Sequence, residues 1–124
     1  MKIGIVNPYS WDVPGGVQFH IRDFALELLE RGHDVKVLTP AKNTTDLPGW
    51  ITAVGSSVAI PFNGSVARLS FSPIANARTK KWLEEGDFDV LHVHEPEVPS
   101  ISMLALRAAT VPVIGTFHAA LDYS

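Results

Sequence analysis

Two short, apolar, β-rich runs separated by a single helical period constrain this chain more than any other feature. Lys2–Val6 is bounded by Asn7-Pro8 and reads as a buried strand. A loop of turn-forming residues, PYSWDVPGG, follows it. Val17, Ile21, Phe24, Ala25, Leu28 and Leu29 then fall on one face of a helix, with Arg31 in its last turn and Gly32 just beyond. Asp34–Thr39 is a second strand, ended by Pro40. A strand, a helix and a strand in that order make a βαβ unit, which requires parallel pairing and a right-handed crossover.

The rest of the chain repeats the theme. Ile51–Val54 and Val58–Pro61 read as short strands, followed by a loop over Phe62–Ser72. Ser72-Pro73 has the form of an N-cap with proline at the first helical position, and the helix is expected to run to about Glu85 and stop at Gly86. Asp89–Val93 is the next strand, Ser100–Ala109 a helix capped by Ser100, and Val111–Thr116 the last strand. This alternation predicts one α/β domain, a sheet with helices on its faces. With 124 residues the chain can bury about two-thirds of its unfolded surface, enough for one core. Because the pattern stops just past a strand, the sheet is expected to lack a covering helix there and to be part of something larger.

Composition removes several function classes. Ten Lys and Arg against thirteen Asp and Glu give a net charge of −3, which is not the basic footprint of a nucleic-acid binder. With no cysteine there is no disulfide framework, thiolate metal site or cysteine nucleophile, and a cytoplasmic setting fits. The opening apolar run ends at Asn7-Pro8, shorter than a secretory signal needs. The charge-free stretch Leu47–Ala67 is broken by Pro48, Gly49, Gly55, Pro61 and Gly64, so it reads as loop and strand, not as a membrane span.

In open α/β sheets ligands bind outside the carboxyl ends of the strands. The residues expected on that rim are Tyr9, Asp12, Gly15, Gly16 and Gln18 after the first strand, His94, Glu95 and Glu97 after the fourth major strand, and His118 after the last. Gly15-Gly16 opens a helix whose N–H groups and dipole suit a phosphate, although a Gly pair also serves as a plain tight turn. A dinucleotide oxidoreductase does not fit: GxGxxG is absent, and the second strand ends in Thr39-Pro40 with no acid to hold a ribose. His92 and His94, two apart on a strand, share a side and adjoin Glu95. They form either a metal pair, needing His118 or Asp12 as third ligand, or the commoner hydrogen-bonded rim histidines. His118 stands where an imidazole orients a sugar hydroxyl or shares a proton near neutral pH. Charge is uneven as well. Arg68, Arg78, Lys80 and Lys81 occur between Phe62 and Leu83 without an acid, and six acids follow from Glu84 to Glu97. Ala75, Thr79, Trp82 and Leu83 share one helical arc, so this basic helix is either a contact for an anionic membrane or an ordinary solvated helix lying on the sheet.

The segments PYSWDVPGGVQ, PFNGSVARL, EGDFDVLHVHEPEVPSISMLAL and TFH, taken together, resemble the amino-terminal domain of the retaining two-domain glycosyltransferases of family 4. Within that family they are most similar to the branch that mannosylates phosphatidylinositol. The likeness runs over essentially the whole chain, and PFNGSVARL with a basic helix is its most specific part. It implies a Rossmann-like parallel sheet with helices on both faces, the acceptor-binding amino-terminal half of a GT-B enzyme, spanning 1–124 and incomplete, with the nucleotide-sugar domain outside this chain. It further implies that Gly16 contacts the diphosphate of GDP-mannose through its backbone. Tyr9, Gln18, Phe62, Asn63 and Arg68 would line the acceptor site, Arg68 matching a phosphate with its guanidinium. His118 would be the catalytic residue, and Arg78, Lys80 and Lys81 would touch the anionic inner face of the plasma membrane. The resemblance implies no cofactor bound within this stretch and Mg2+ accompanying GDP-mannose in the whole enzyme. The carboxyl-terminal domain of the same enzyme would be a partner, and this stretch alone would be inactive. Three positions depart from the family: Phe62 stands where Tyr is common, Ala119-Ala120 where small hydroxyl residues are frequent, and Tyr123 where a basic residue can occur. The competing readings are a related transferase with a soluble acceptor, a non-catalytic module for a phosphorylated ligand, and a metal-dependent hydrolase.

Overall fold

A computed structural model describes residues 1–54, 73–96 and 100–117. Five strands and three helices alternate along them: β1 (Lys2–Val6), α1 (Gly16–Glu30), β2 (Asp34–Thr39), β3 (Ile51–Ala53), α2 (Pro73–Gly86), β4 (Val90–His94), α3 (Ile101–Ala108) and β5 (Val113–Thr116). Every pairing is parallel, and the strand order is β3-β2-β1-β4-β5. The chain thus works outward from β1 to β3, returns to the other side of β1, and works outward again through β4 and β5. The order reverses between β1 and β4.

Side-chain alternation divides the core into two layers. Ile3, Ile5, Val35 and Val37 face α1, where Ile21 and Ala25 are fully buried against them. Val6, Leu38, Leu91 and Val93 face the opposite layer, built from Trp82 of α2 and from Ile101 and Ala105 of α3. Burying one such branched side chain stabilises the fold by about 1.5–3 kcal/mol, so the layering of helix, sheet and helices follows the hydrophobic period of each element. The expected α/β sheet with helices on both faces is the observed one.

Element ends follow local chemistry. Gly32 has φ 89°, and its N–H donates to Leu29 O (3.0 Å) while that of His33 donates to Leu28 O (3.1 Å). These paired bonds close α1 in a Schellman motif that needs a residue in the left-handed region. Ser100 caps α3, its Oγ accepting from the Ser102 N–H at 3.1 Å. Gly86 ends α2 where a Cβ would stand 2.3 Å from the Phe88 ring, so that glycine makes room for Phe88 against Trp82. Two strands start later than the sequence suggests. Asp89 is a lead-in, its carboxylate accepting from the Lys2 N–H at 2.7 Å, so β4 runs from Val90 to His94. Pro112 has no N–H and contributes only its carbonyl to Leu91, so β5 begins at Val113, two residues after Val111. The strand expected at Val58–Pro61, the Phe62–Ser72 loop and the Ser72 cap lie outside the described residues.

Candidate functional site

The carboxyl ends of β1, β2, β4 and β5 are in register, with Val6 beside Leu38 and Val93, and His94 beside Thr116. Asn7 continues β1 and is fully buried, its amide donating to Thr39 Oγ1 at 3.2 Å while its Oδ1 accepts from the Tyr9 N–H at 3.1 Å. The buried Thr39 hydroxyl donates in turn to Tyr9 O at 3.0 Å. Two side chains therefore fix the Tyr9 backbone on both sides, leaving the phenol to project across the rim. It reaches β4's end, where Tyr9 Oη lies 3.5 Å from Glu95 Oε2. Partial burial, followed by the charge of Glu95 and its hydrogen bond, raises the phenol's pKa above 10.0.

The remainder of the loop is laced to the loop after β2. Asp12 accepts the backbone N–H groups of Lys42 (2.6 Å) and Asn43 (3.1 Å) and the Ser10 hydroxyl (3.2 Å). These bonds, those from Lys42 first, hold its carboxyl below 3.8. Trp11 N donates to Pro40 O at 2.8 Å, and the Gln18 amide donates to Trp11 O at 2.8 Å. This scaffold delivers the chain to Gly15, which starts α1 in extended backbone with no side-chain cap and no acid in the first turn. A Cβ at Gly15 or Gly16 would meet no described atom within 4 Å. The positive end of the α1 dipole is therefore uncovered by any described residue beside the β1/β4 crevice, an arrangement suited to an anion.

The family model for Glycosyltransferase Family 4 matches residues 14–124. The chain belongs to that family. It is 56% identical over 118 residues to a phosphatidyl-myo-inositol mannosyltransferase of Mycolicibacterium smegmatis, which covers 95% of this chain and 31% of that protein. It is 54% identical, with the same coverage of each chain, to the protein of that name in Mycobacterium tuberculosis strain H37Rv. A more distant relative, 30% identical over 123 residues, is a D-inositol 3-phosphate glycosyltransferase of Mycolicibacterium vanbaalenii, with 92% of this chain and 27% of that protein aligned. The chain spans about a third of the length of the curated relatives it matches.

Of the site residues expected in this family 4 chain, Tyr9, Gly16 and Gln18 stand at the crevice, with Gln18 bound to the loop. Phe62, Asn63, Arg68 and His118 lie outside the described residues, as do Glu97, Ala119, Ala120 and Tyr123. The rim histidines share a side as their spacing requires. The His92 and His94 rings stack at 4.4 Å, and His92 bonds the Thr116 hydroxyl. Phe24 and His20 of α1 pack over them at 5.6 and 6.0 Å. Asp12, weighed above as a third metal ligand, has its carboxylate on the Lys42 and Asn43 amides instead. Among the described residues no three His, Cys, Asp or Glu side chains are grouped to hold a metal ion.

On α2, Thr79 and Trp82 are buried and Ala75 and Leu83 half-buried, as the helical arc required. Of the expected membrane cations, Arg78 donates to Val54 O at 3.2 Å and Lys81 pairs with Glu85 at 3.6 Å. Lys80 lines a groove of about 320 Å³ with Asn76, Leu104, Arg107 and Ala108. Among the described residues no helix is long and apolar enough to cross a membrane.

Sequence reading alone left out Asn7 and Thr39, which position the Tyr9 backbone. The available signal was a polar residue at the carboxyl end of each of two adjacent apolar strands.

Proposed function

We propose that this chain is the acceptor-side domain of an enzyme that transfers mannose from GDP-mannose to phosphatidylinositol with retention at the anomeric carbon. The observation that carries the reading is 56% identity over 95% of the chain to a relative named for that acceptor and sugar. The uncapped α1 N-terminus at the strand-order reversal supports it. In this reading the N–H groups at Gly16 face the diphosphate. The transition state develops charge on the departing diphosphate, so preorganised donors there would supply much of the acceleration. Tyr9 and Gln18, with Phe62, Asn63 and Arg68, would receive the inositol phosphate head. His118 would orient or polarise the reacting oxygens without attacking. Retention here needs no glycosidase-type carboxylate pair from this domain. Mg2+ would arrive with the nucleotide; among the described residues no three His, Cys, Asp or Glu side chains are grouped to hold it.

Guanine, ribose and most of the diphosphate would be held by a carboxyl-terminal domain. Lys80 and Lys81, with Arg78 at the end of β3, would bring α2 to the anionic inner face of the plasma membrane, placing the enzyme on its cytoplasmic side. The 30% identical D-inositol 3-phosphate glycosyltransferase favours a second reading, transfer to a soluble inositol phosphate.

The deciding experiment offers the full-length protein GDP-mannose with phosphatidylinositol liposomes, or with free inositol 3-phosphate. Mannosylated lipid, abolished by His118→Ala, is the expected result. Product on inositol 3-phosphate alone would establish the second reading, and undiminished activity in His118→Ala would refute the catalytic role of that residue.

A further inference from the structure

Where the strand order reverses, two side chains 86 positions apart in sequence meet: the Tyr9 phenol after β1 and the Glu95 carboxylate after β4. Glu95 is an unusual occupant of its place. It is 2% exposed, and its φ of 53° lies in the left-handed region that glutamate seldom adopts. The surrounding bonds hold it there. Its N–H donates to Thr116 O of β5 at 2.8 Å, and the preceding carbonyl, His94 O, accepts the Ser102 hydroxyl of α3 at 2.7 Å. On the other side of the crevice, Asn7 and Thr39 clamp the Tyr9 backbone. Two fixed backbones thus present one phenol to one carboxylate. Uncommon backbone conformations enforced by their surroundings concentrate at functional sites.

We infer that Glu95 is a positioning residue that fixes the Tyr9 hydroxyl for the acceptor and decides which group that hydroxyl recognises. A phenol has a single proton to donate. With that proton engaged by the carboxylate, the Tyr9 oxygen offers an incoming ligand only lone pairs. It therefore accepts a hydrogen bond from an acceptor hydroxyl and does not donate one to a phosphate oxygen. This inference rests on the reading of Tyr9 as an acceptor-binding residue.

The test uses the full-length protein and Glu95→Gly, which removes the carboxylate while suiting the backbone better than glutamate does. A purely structural Glu95 predicts an unchanged KM for phosphatidylinositol and an unchanged or higher Tm. A positioning Glu95 predicts a KM for phosphatidylinositol raised about fivefold, the worth of one ordinary hydrogen bond, with the KM for GDP-mannose unchanged. In a Tyr9→Phe background the same substitution should add less than about twofold, since contacting residues are not additive. An unaltered acceptor KM, or an equal factor in both backgrounds, overturns the inference. Glu95→Gln keeps the size of the side chain and gives a reading independent of catalysis. The Tyr9 phenol, followed by NMR, should titrate at lower pH than in the wild type, and an unmoved titration refutes the contact. If the wild type transfers no mannose to phosphatidylinositol, the proposed function fails, while the titration still decides the Glu95–Tyr9 pair.

Discussion

The two ends of α1 are built in opposite ways. At the carboxyl end, Gly32 turns left-handed and the N–H groups of Gly32 and His33 return to Leu29 and Leu28, so the helix satisfies its own carbonyls. At the amino end Gly15 supplies no side-chain bond, no acid occupies the first turn, and a Cβ at either glycine would meet no described atom within 4 Å. On the opposite face of the sheet, α3 shows that the fold can cap a helix start, since Ser100 does so within hydrogen-bond distance of Ser102. The closed end serves stability, whereas at the open one no side chain among the described residues caps the donors, which in the proposed reading a ligand uses.

Four substitutions sharpen or break that contrast. The largest effect should come from Gly16→Val. A Cβ there meets no described atom within 4 Å, so Tm should hold, while transfer should fall about a hundredfold as the anion is displaced from its donors. Unchanged turnover would mean that the open end is incidental. Gly15→Asp should close it. The new carboxylate caps the helix and stabilises it by a few tenths of a kcal/mol, yet transfer should drop about tenfold as it competes with the diphosphate. A stable, fully active variant would contradict this. At the other end Gly32→Ala should cost about 1 kcal/mol in denaturant unfolding, because alanine is strained at φ 89°, and should leave KM and kcat alone. The smallest effect concerns the loop leading to the open end. The Asp12 pKa is lower folded than unfolded, so its contribution to stability is complete above about 3.8 and is lost as pH falls through the folded value. Thermal melts of Asp12→Asn should therefore show a shallower acid limb than the wild type, with equal slopes refuting the staple.

Much of this layout was legible because the signals are local. The apolar period from Val17 to Leu29 gave α1, Gly32 and Gly86 gave the stops, and Ser100 gave a cap that the Ser102 N–H meets. Strand starts were less legible, since the lead-in at Asp89 depends on a bond to Lys2 on another strand. The family 4 resemblance pointed to Tyr9, Gly16 and Gln18, but no residue pattern revealed that β1 lies between β2 and β4. That adjacency creates the crevice and joins Tyr9 to Glu95. Asp12 shows the same dependence: a rim carboxylate looks available until the fold brings the Lys42 and Asn43 amides against it.

Amide hydrogen exchange on the full-length protein, with and without GDP-mannose, tests the contrast between the two helix ends most directly. The account predicts that the nucleotide sugar protects the peptide covering Gly15–Gln18 and leaves Leu28–His33 unchanged, because only the first end has donors to give. Protection confined to other regions, with no change at the start of α1, would contradict it.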